Sequence, residues 1–327
     1  MDEPNKDKQK KIKIAVSVCA AVVICVLICV FAFEKASTHS QQNVSDISTS
    51  QTQTSQTTQT TQTTQTTQTT QTTQTTAPTT QTTTESAEFD SEDVLYTTDE
   101  WTTIRKSASS DSKSLGKVGR NTYLPVVSQK GSWVEVVYKS TTGYVKASQL
   151  TDKTPKIKYS SPYLIKVNRT QNIVIVYEKD SNGKYTVAKK AMVCSVGTGN
   201  NTPRGIFYTS DRYNWRLLEG NVYGQYATRI TAHILFHSVP YYTQDKSDLE
   251  YDEYNKLGEA ASLGCVRLSA EDSKWIKDNC PSGTTVIIYD SDEKEPLDKP
   301  TPIRIDTDDS RRGWDPTDPD KNNPWNN

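Results

Sequence analysis

The sequence predicts a mostly β protein, with a small barrel over residues 91–152 and a larger β domain over residues 160–290. Three observations predict it. Short alternating apolar runs sit between closely spaced glycines in the first segment. The second holds six strand-like runs against one well-signalled helix. The stretches outside these two segments are either uniformly apolar or too polar to form a core.

Residues 14–33 carry no charge and only one serine, and at about 1.5 Å per residue they span roughly 30 Å, the thickness of a bilayer's hydrocarbon core. Lys6, Lys8, Lys10, Lys11 and Lys13 precede the run and only Lys35 follows closely. The positive-inside bias therefore places residues 1–13 in the cytoplasm and the remainder outside a plasma membrane crossed once. A cleaved signal peptide, processed near Val30-Phe31-Ala32, is the rival; the run exceeds the ~7–15 residues of a signal core, so a retained anchor is expected. Residues 34–90 follow as a disordered stalk, with Gln-Thr-Thr repeated seven times from Gln56 to Thr76. Such a tract buries nothing that would offset its ordering entropy, and about 50 residues of it reach roughly 40 Å as a random coil.

In the barrel, Tyr123-Leu124-Pro125-Val126-Val127 and Trp133-Val134-Glu135-Val136-Val137-Tyr138 read as half-buried strands, with turns at Gly116, Gly119, Gly131 and Gly143. In the larger domain, Tyr163-Leu164-Ile165-Lys166-Val167-Asn168 and Asn172-Ile173-Val174-Ile175-Val176-Tyr177 lead the strands. Further runs cover residues 185–193, 205–209, 229–239 and 284–289. The helix starts at Ser269, with Asp272 completing a capping box and Trp275 and Ile276 on its apolar face. Residues 291–327 are rich in charge and proline and read as a disordered tail in which Trp314 and Trp325 stand alone.

A net charge of −1 gives no bulk electrostatic reason to expect nucleic acid. Six cysteines and three histidines are few enough for their positions to matter. Cys19, Cys25 and Cys29 fall in the apolar span and act there as small apolar residues. Cys194, Cys265 and Cys280 remain, an odd number for an oxidising compartment. Cys194 with Cys280 forms either a disulfide or two buried thiols, and both readings stay open. Cys265 follows Gly264, which permits a tight turn and close approach of a substrate backbone. A thiol nucleophile needs a base and oxyanion donors. His237 is the candidate base, at the end of Ile234-Leu235-Phe236-His237-Ser238, and strand alternation puts His233 on its side. His233 either supports His237 from behind or is a hydrogen-bonded structural histidine, and the second is the expectation. No zinc-ligand cluster is evident and no metal or cofactor is expected.

Two resemblances sharpen this. Thr103-Ile104-Arg105, Gly131-Ser132-Trp133-Val134-Glu135-Val136 and Gly143-Tyr144-Val145 resemble bacterial SH3-like domains, small barrels that bind peptidoglycan peptides or position a neighbouring domain. Thr202-Pro203-Arg204-Gly205-Ile206-Phe207, Phe236-His237-Ser238 and Ser262-Leu263-Gly264-Cys265-Val266-Arg267 resemble, in order and spacing, the signature of L,D-transpeptidases with a YkuD-like catalytic domain. That resemblance implies a β-sandwich-like domain with a short helix after the cysteine motif. It further implies Cys265 as nucleophile, His237 as general base, Gly264 and Cys265 as backbone donors, and Ser238 and Ser262 as residues shaping the site. Arg267 would hold the loop or a substrate carboxylate. Leu263 departs from the family, many of whose members have histidine there, which loads the base role onto His237.

The activity so implied is acyl transfer on peptidoglycan stem peptides. Cys265 attacks the amide after the third residue of a tetrapeptide, terminal D-alanine leaves, and a side-chain amine of a second stem resolves the thioester into a 3→3 cross-link. Carbapenem-type β-lactams are expected to acylate the same sulfur. Two rivals remain: an L,D-carboxypeptidase in which water resolves the thioester, and a non-catalytic wall-binding protein.

Overall fold

The computed structural model describes residues 93–326. The segments expected to be a cytoplasmic tail (1–13), a membrane anchor (14–33) and a stalk (34–90) lie outside the described residues; among those described, no helix is long and apolar enough to cross a membrane.

Seven strands build the first domain: β1 (Val94–Thr97), β2 (Trp101–Arg105), β3 (Ser114–Gly119), β4 (Tyr123–Lys130), β5 (Trp133–Tyr138), β6 (Thr141–Lys146) and β7 (Leu150–Thr151). They pair in the order β3-β2-β6-β5-β4-β1-β7. Alternation along β5 sends Val134, Val136 and Tyr138 inward, where they meet Ile104, Val118, Leu124 and Val145. Gly143 is fixed by this packing, because a Cβ there would lie 2.4 Å from Ile104 Cγ2.

The second domain contains β8 (Tyr163–Asn168), β9 (Ile173–Lys179), β10 (Tyr185–Val193), β11 (Gly205–Tyr208), β12 (Arg212–Leu217), β13 (Tyr223–Thr231) and β14 (Ile234–Ser238). A single helical turn, α1 (Tyr251–Tyr254), and then β15 (Val266–Leu268), helix α2 (Ala270–Asn279) and β16 (Thr285–Tyr289) complete it. One sheet runs β10-β9-β8-β16-β11 and the other β12-β13-β14-β15. Their facing side chains form one core, including Ile165, Val174, Met192, Phe207, Phe236, Val266 and Val286. Helix α2 adds Ile276 to that core. Its start is held by Ser269 Oγ, which accepts the Asp272 N–H at 3.2 Å, as the sequence predicts. The Asp272 carboxylate pairs with Lys190 at 2.9 Å. Cys194 and Cys280 are free thiols inside the same core.

Two sequence expectations are corrected. Residues 229–239 are not one strand: the chain reverses between β13 and β14, with Ala232 at φ 44°. His233 therefore sits in the turn rather than on a strand face shared with His237. Residues 291–326, expected to belong to a disordered tail, lie along the second domain. Ile305 packs with Val239, Tyr241 and Tyr254, and Trp325 joins that cluster. Asp315, Asp318 and Asn323 are fully buried. Asp315 accepts the first N–H of α2, from Ala270, at 2.8 Å, and Asp318 accepts from Gln225 Nε2 at 3.1 Å. Polar composition misleads here because the segment buries hydrogen-bonded polar groups in place of an apolar stripe.

The two domains meet along a defined seam. Tyr123 N donates to Arg204 O at 2.9 Å, beside an antiparallel bridge between Thr122 and Gly205. The Trp101 ring stacks on His233, with centroids 5.8 Å apart and planes 10° apart.

Candidate active site

Strands β14 and β15 run parallel, with Phe236 opposite Val266, His237 opposite Arg267 and Ser238 opposite Leu268. Phe236, Val266 and Leu268 face the core. Strand alternation therefore turns Leu235, His237, Cys265 and Arg267 to the other face, where all four line a cleft of about 180 Å³. The hairpin between β12 and β13 overhangs it with Leu217, Glu219 and Val222.

The loop before Cys265 is held tightly. Ser262 Oγ donates to Cys265 O at 2.5 Å and accepts the Gly264 N–H at 3.0 Å. Thr202 Oγ1 accepts from Gly197 N and donates to Gly264 O, both at 2.7 Å. Gly264 has φ 145°, and a Cβ there would meet Ile234 Cδ1 at 3.1 Å and Asn201 O at 3.2 Å. A side chain there would be strained by the backbone and crowded by these neighbours. The Gly264 N–H, expected to face an oxyanion, is thus taken by Ser262.

His237 is buried, and its Nδ1 lies 2.6 Å from Ser238 O. A carbonyl only accepts, so Nδ1 carries the proton and Nε2 is the basic nitrogen. The partner that orients His237 is this main-chain oxygen, which no side-chain motif could announce. Gly224 of β13 passes directly against the ring: a Cβ there would lie 2.9 Å from Nδ1 and 3.0 Å from Cγ. Burial pulls the imidazole down to about 4, opposed by the Ser238 hydrogen bond and assisted by Arg267. Burial raises the Cys265 thiol above its ordinary value, against the Leu235 N–H, Arg267 and Arg229, which favour the thiolate. Both shifts favour the neutral forms, a thiol and a neutral imidazole lining one cleft.

The other residues singled out from sequence take distinct places. Ser238 does not line the cleft; its hydroxyl accepts from Gln225 N and donates to Val239 O, both at 2.8 Å, and its carbonyl does the orienting. Arg267 reaches the cleft but is ion-paired with Glu253. His233 lines the cleft through the turn, and its carbonyl lies 3.6 Å from Cys265 Sγ. Leu263 is 61% exposed at the lip. Sequence reasoning missed Arg229, the overhanging hairpin and Gly224. Thr202 was part of a quoted motif, but its role as a clamp is visible only in three dimensions. Among the described residues, no cluster of three histidine, cysteine or acidic side chains could hold a metal.

Residues 162–288 match the family model of the YkuD L,D-transpeptidase catalytic domain, and residues 102–151 match that of the bacterial SH3 domain. A Bacillus subtilis (strain 168) protein, YciB, provisionally named an L,D-transpeptidase, is 42% identical over 91 residues. That match covers 27% of this chain and 46% of YciB, so the chain spans just under half the length of this relative. Among solved structures, a fused Zn-dependent amidase/peptidase/peptidoglycan-binding domain protein from Clostridium acetobutylicum is 23% identical, over 41% of this chain and 55% of that one, with a TM-score of 0.32. An L,D-transpeptidase from Mycobacterium smegmatis is 14% identical, over 51% and 82%, with a TM-score of 0.33. One from Mycobacterium tuberculosis H37Rv is 20% identical, over 53% and 71%, with a TM-score of 0.31. At these scores the likeness assigns nothing to this chain.

Proposed function

We propose that this chain is a peptidoglycan L,D-transpeptidase working by cysteine acyl transfer. The observation that supports it most is the Nδ1–H of His237 held on Ser238 O, which keeps Nε2 basic on the sheet face that bears Cys265. The Cys265 thiol attacks the amide after the third residue of a tetrapeptide stem as Nε2 takes its proton. The Cys265 N–H donates to the developing oxyanion. The imidazolium returns the proton to the leaving D-alanine amine, and a thioester remains. A side-chain amine of a second stem resolves it into a 3→3 cross-link. Carbapenem-type β-lactams acylate the same sulfur in this reading. A membrane anchor at residues 14–33 and a stalk would hold the enzyme outside the cell, within reach of the wall.

The test is incubation of the full-length protein with disaccharide-tetrapeptides, followed by mass spectrometry. Dimers that have lost one alanine per cross-link, absent with Cys265→Ala, uphold the proposal. Tripeptide monomers alone would make the protein an L,D-carboxypeptidase, and no thiol-dependent product would leave a wall-binding protein.

A further inference from the structure

A second cavity, of about 360 Å³, lies at the seam between the SH3 domain and the catalytic domain. It is twice the size of the Cys265 cleft and falls in the range of pockets that hold small ligands. Its walls are built by the contacts that join the domains. Tyr123 and Arg204, tied by their main-chain hydrogen bond, also stack, with the guanidinium carbon 4.3 Å from the ring centroid. Gly119 abuts the β13–β14 turn so closely that a Cβ would lie 2.2 Å from Thr231 Oγ1. His233 and Leu263 line both cavities, so the larger one opens at the lip of the reacting cleft.

The charge of this cavity is one-sided. Lys117, Lys139, Arg169 and Arg204 line it, against the single carboxylate of Asp290. Asp290 is already engaged by Arg169 through two hydrogen bonds, at 2.7 and 2.5 Å, and lies 3.7 Å from Arg204. Lys117 and Lys139 are exposed, and neither has an ion pair among the described residues. Two ammonium groups with no carboxylate partner among the described residues, that of Lys139 lying 5.2 Å from the Tyr138 ring centroid, stand beside apolar wall from Pro125, Ile234 and Leu263 and suit a peptide bearing free carboxylates.

We propose that this cavity is the acceptor subsite: it holds the second stem peptide by its carboxylates on Lys117 and Lys139 and leads that stem's side-chain amine past His233 and Leu263 to the thioester on Cys265. The assignment rests on the transpeptidase reading above. In the step it serves, the neutral amine nitrogen bonds to the thioester carbonyl carbon and the carbon–sulfur bond breaks. The amine's surplus proton passes through His237 to the departing sulfur, which regenerates the thiol. The reacting cleft, at half the volume, is left to the donor.

The test compares full-length wild type with a Lys117→Glu/Lys139→Glu double variant and a Lys117→Arg/Lys139→Arg double variant. Acylation of Cys265 by tetrapeptide alone is measured beside the acceptor concentration that gives half-maximal cross-linking. The glutamate variant is expected to raise that concentration about tenfold or more, the equivalent of losing one charge-assisted contact, with acylation kept within about twofold. The arginine variant is expected to behave as wild type. An unchanged acceptor dependence, or acylation falling in parallel, overturns the assignment. Binding of a stem tripeptide and of its C-terminal amide to the Cys265→Ala protein, by titration calorimetry, is independent of cross-linking. Tripeptide binding that is weakened by amidation and by the glutamate pair supports a carboxylate subsite even if wild type forms no cross-links. Binding indifferent to both changes overturns it.

Discussion

The protonation state of the Cys265–His237 pair can be read directly from the rate at which the thiol alkylates. Burial holds His237 down at about 4 and pushes Cys265 above its ordinary 9.0. At pH 7 a thiol held above its ordinary value is almost wholly protonated. The rate of iodoacetamide reaction at Cys265, followed by peptide mass, is therefore expected to climb about tenfold per pH unit between 6 and 8.5, with no plateau. Cys194 and Cys280 are buried in the core, Cys280 pushed up to about 12, and serve as unreactive internal references. A His237→Gln variant is expected to keep nearly the same alkylation profile while losing acyl transfer, because the imidazole acts during attack and not by holding a resting ion pair. A wild-type rate already at its maximum near pH 6, lost on His237→Gln, would show a preformed thiolate–imidazolium pair and refute the reasoning.

Further outcomes follow from the same geometry. Unfolded His237 takes its proton near 6.5 and the folded ring only near 4, so its contribution to stability is full above pH 6.5 and is lost as pH falls toward 4. The loss amounts to about 3 kcal/mol; urea unfolding of wild type against His237→Asn across that window measures it, and parallel curves would contradict it. Gly224→Ala places a Cβ against the imidazole and is expected to lower acyl transfer by about 100-fold or more, with cross-linking assays as the check and a near-wild-type rate as the contrary result. Asp315→Ala removes the carboxylate on the first N–H of α2 and is expected to cost about 1–2 kcal/mol in thermal or urea unfolding. An unchanged unfolding midpoint would mean that the C-terminal segment does not cap the helix.

The strands of both domains were legible wherever apolar residues alternate or run together, as in β5, β8 and β9. The helix after the cysteine motif was legible through Ser269 and its apolar face. The β13–β14 reversal was not, because it turns on Ala232 and His233, neither of which carries a turn signature. β12 was missed although Arg212-Tyr213-Asn214-Trp215-Arg216-Leu217 alternates polar and apolar residues, with Tyr213 and Trp215 as the half-buried ones. Within the candidate site, Cys265 and His237 could be singled out because acyl transfer by a thiol would demand those side chains, and the fold brings both to one cleft. The groups that position them are a carbonyl, at Ser238, and missing side chains, at Gly224 and Gly264. Main-chain atoms and empty volume have no letter in a sequence. The C-terminal segment shows the same limit from the other side: buried aspartates are spelled like solvated ones.

The central claim is that the sulfur of Cys265 carries the donor acyl group. Full-length protein mixed with tetrapeptide stem in the absence of acceptor, quenched in acid within the first turnover and digested, tests this most directly. The account predicts one stem-tripeptide acyl adduct, labile to hydroxylamine, on the peptide containing Cys265, and one free D-alanine released per adduct. Alanine release with no adduct on that peptide, or with the adduct on another residue, would contradict it.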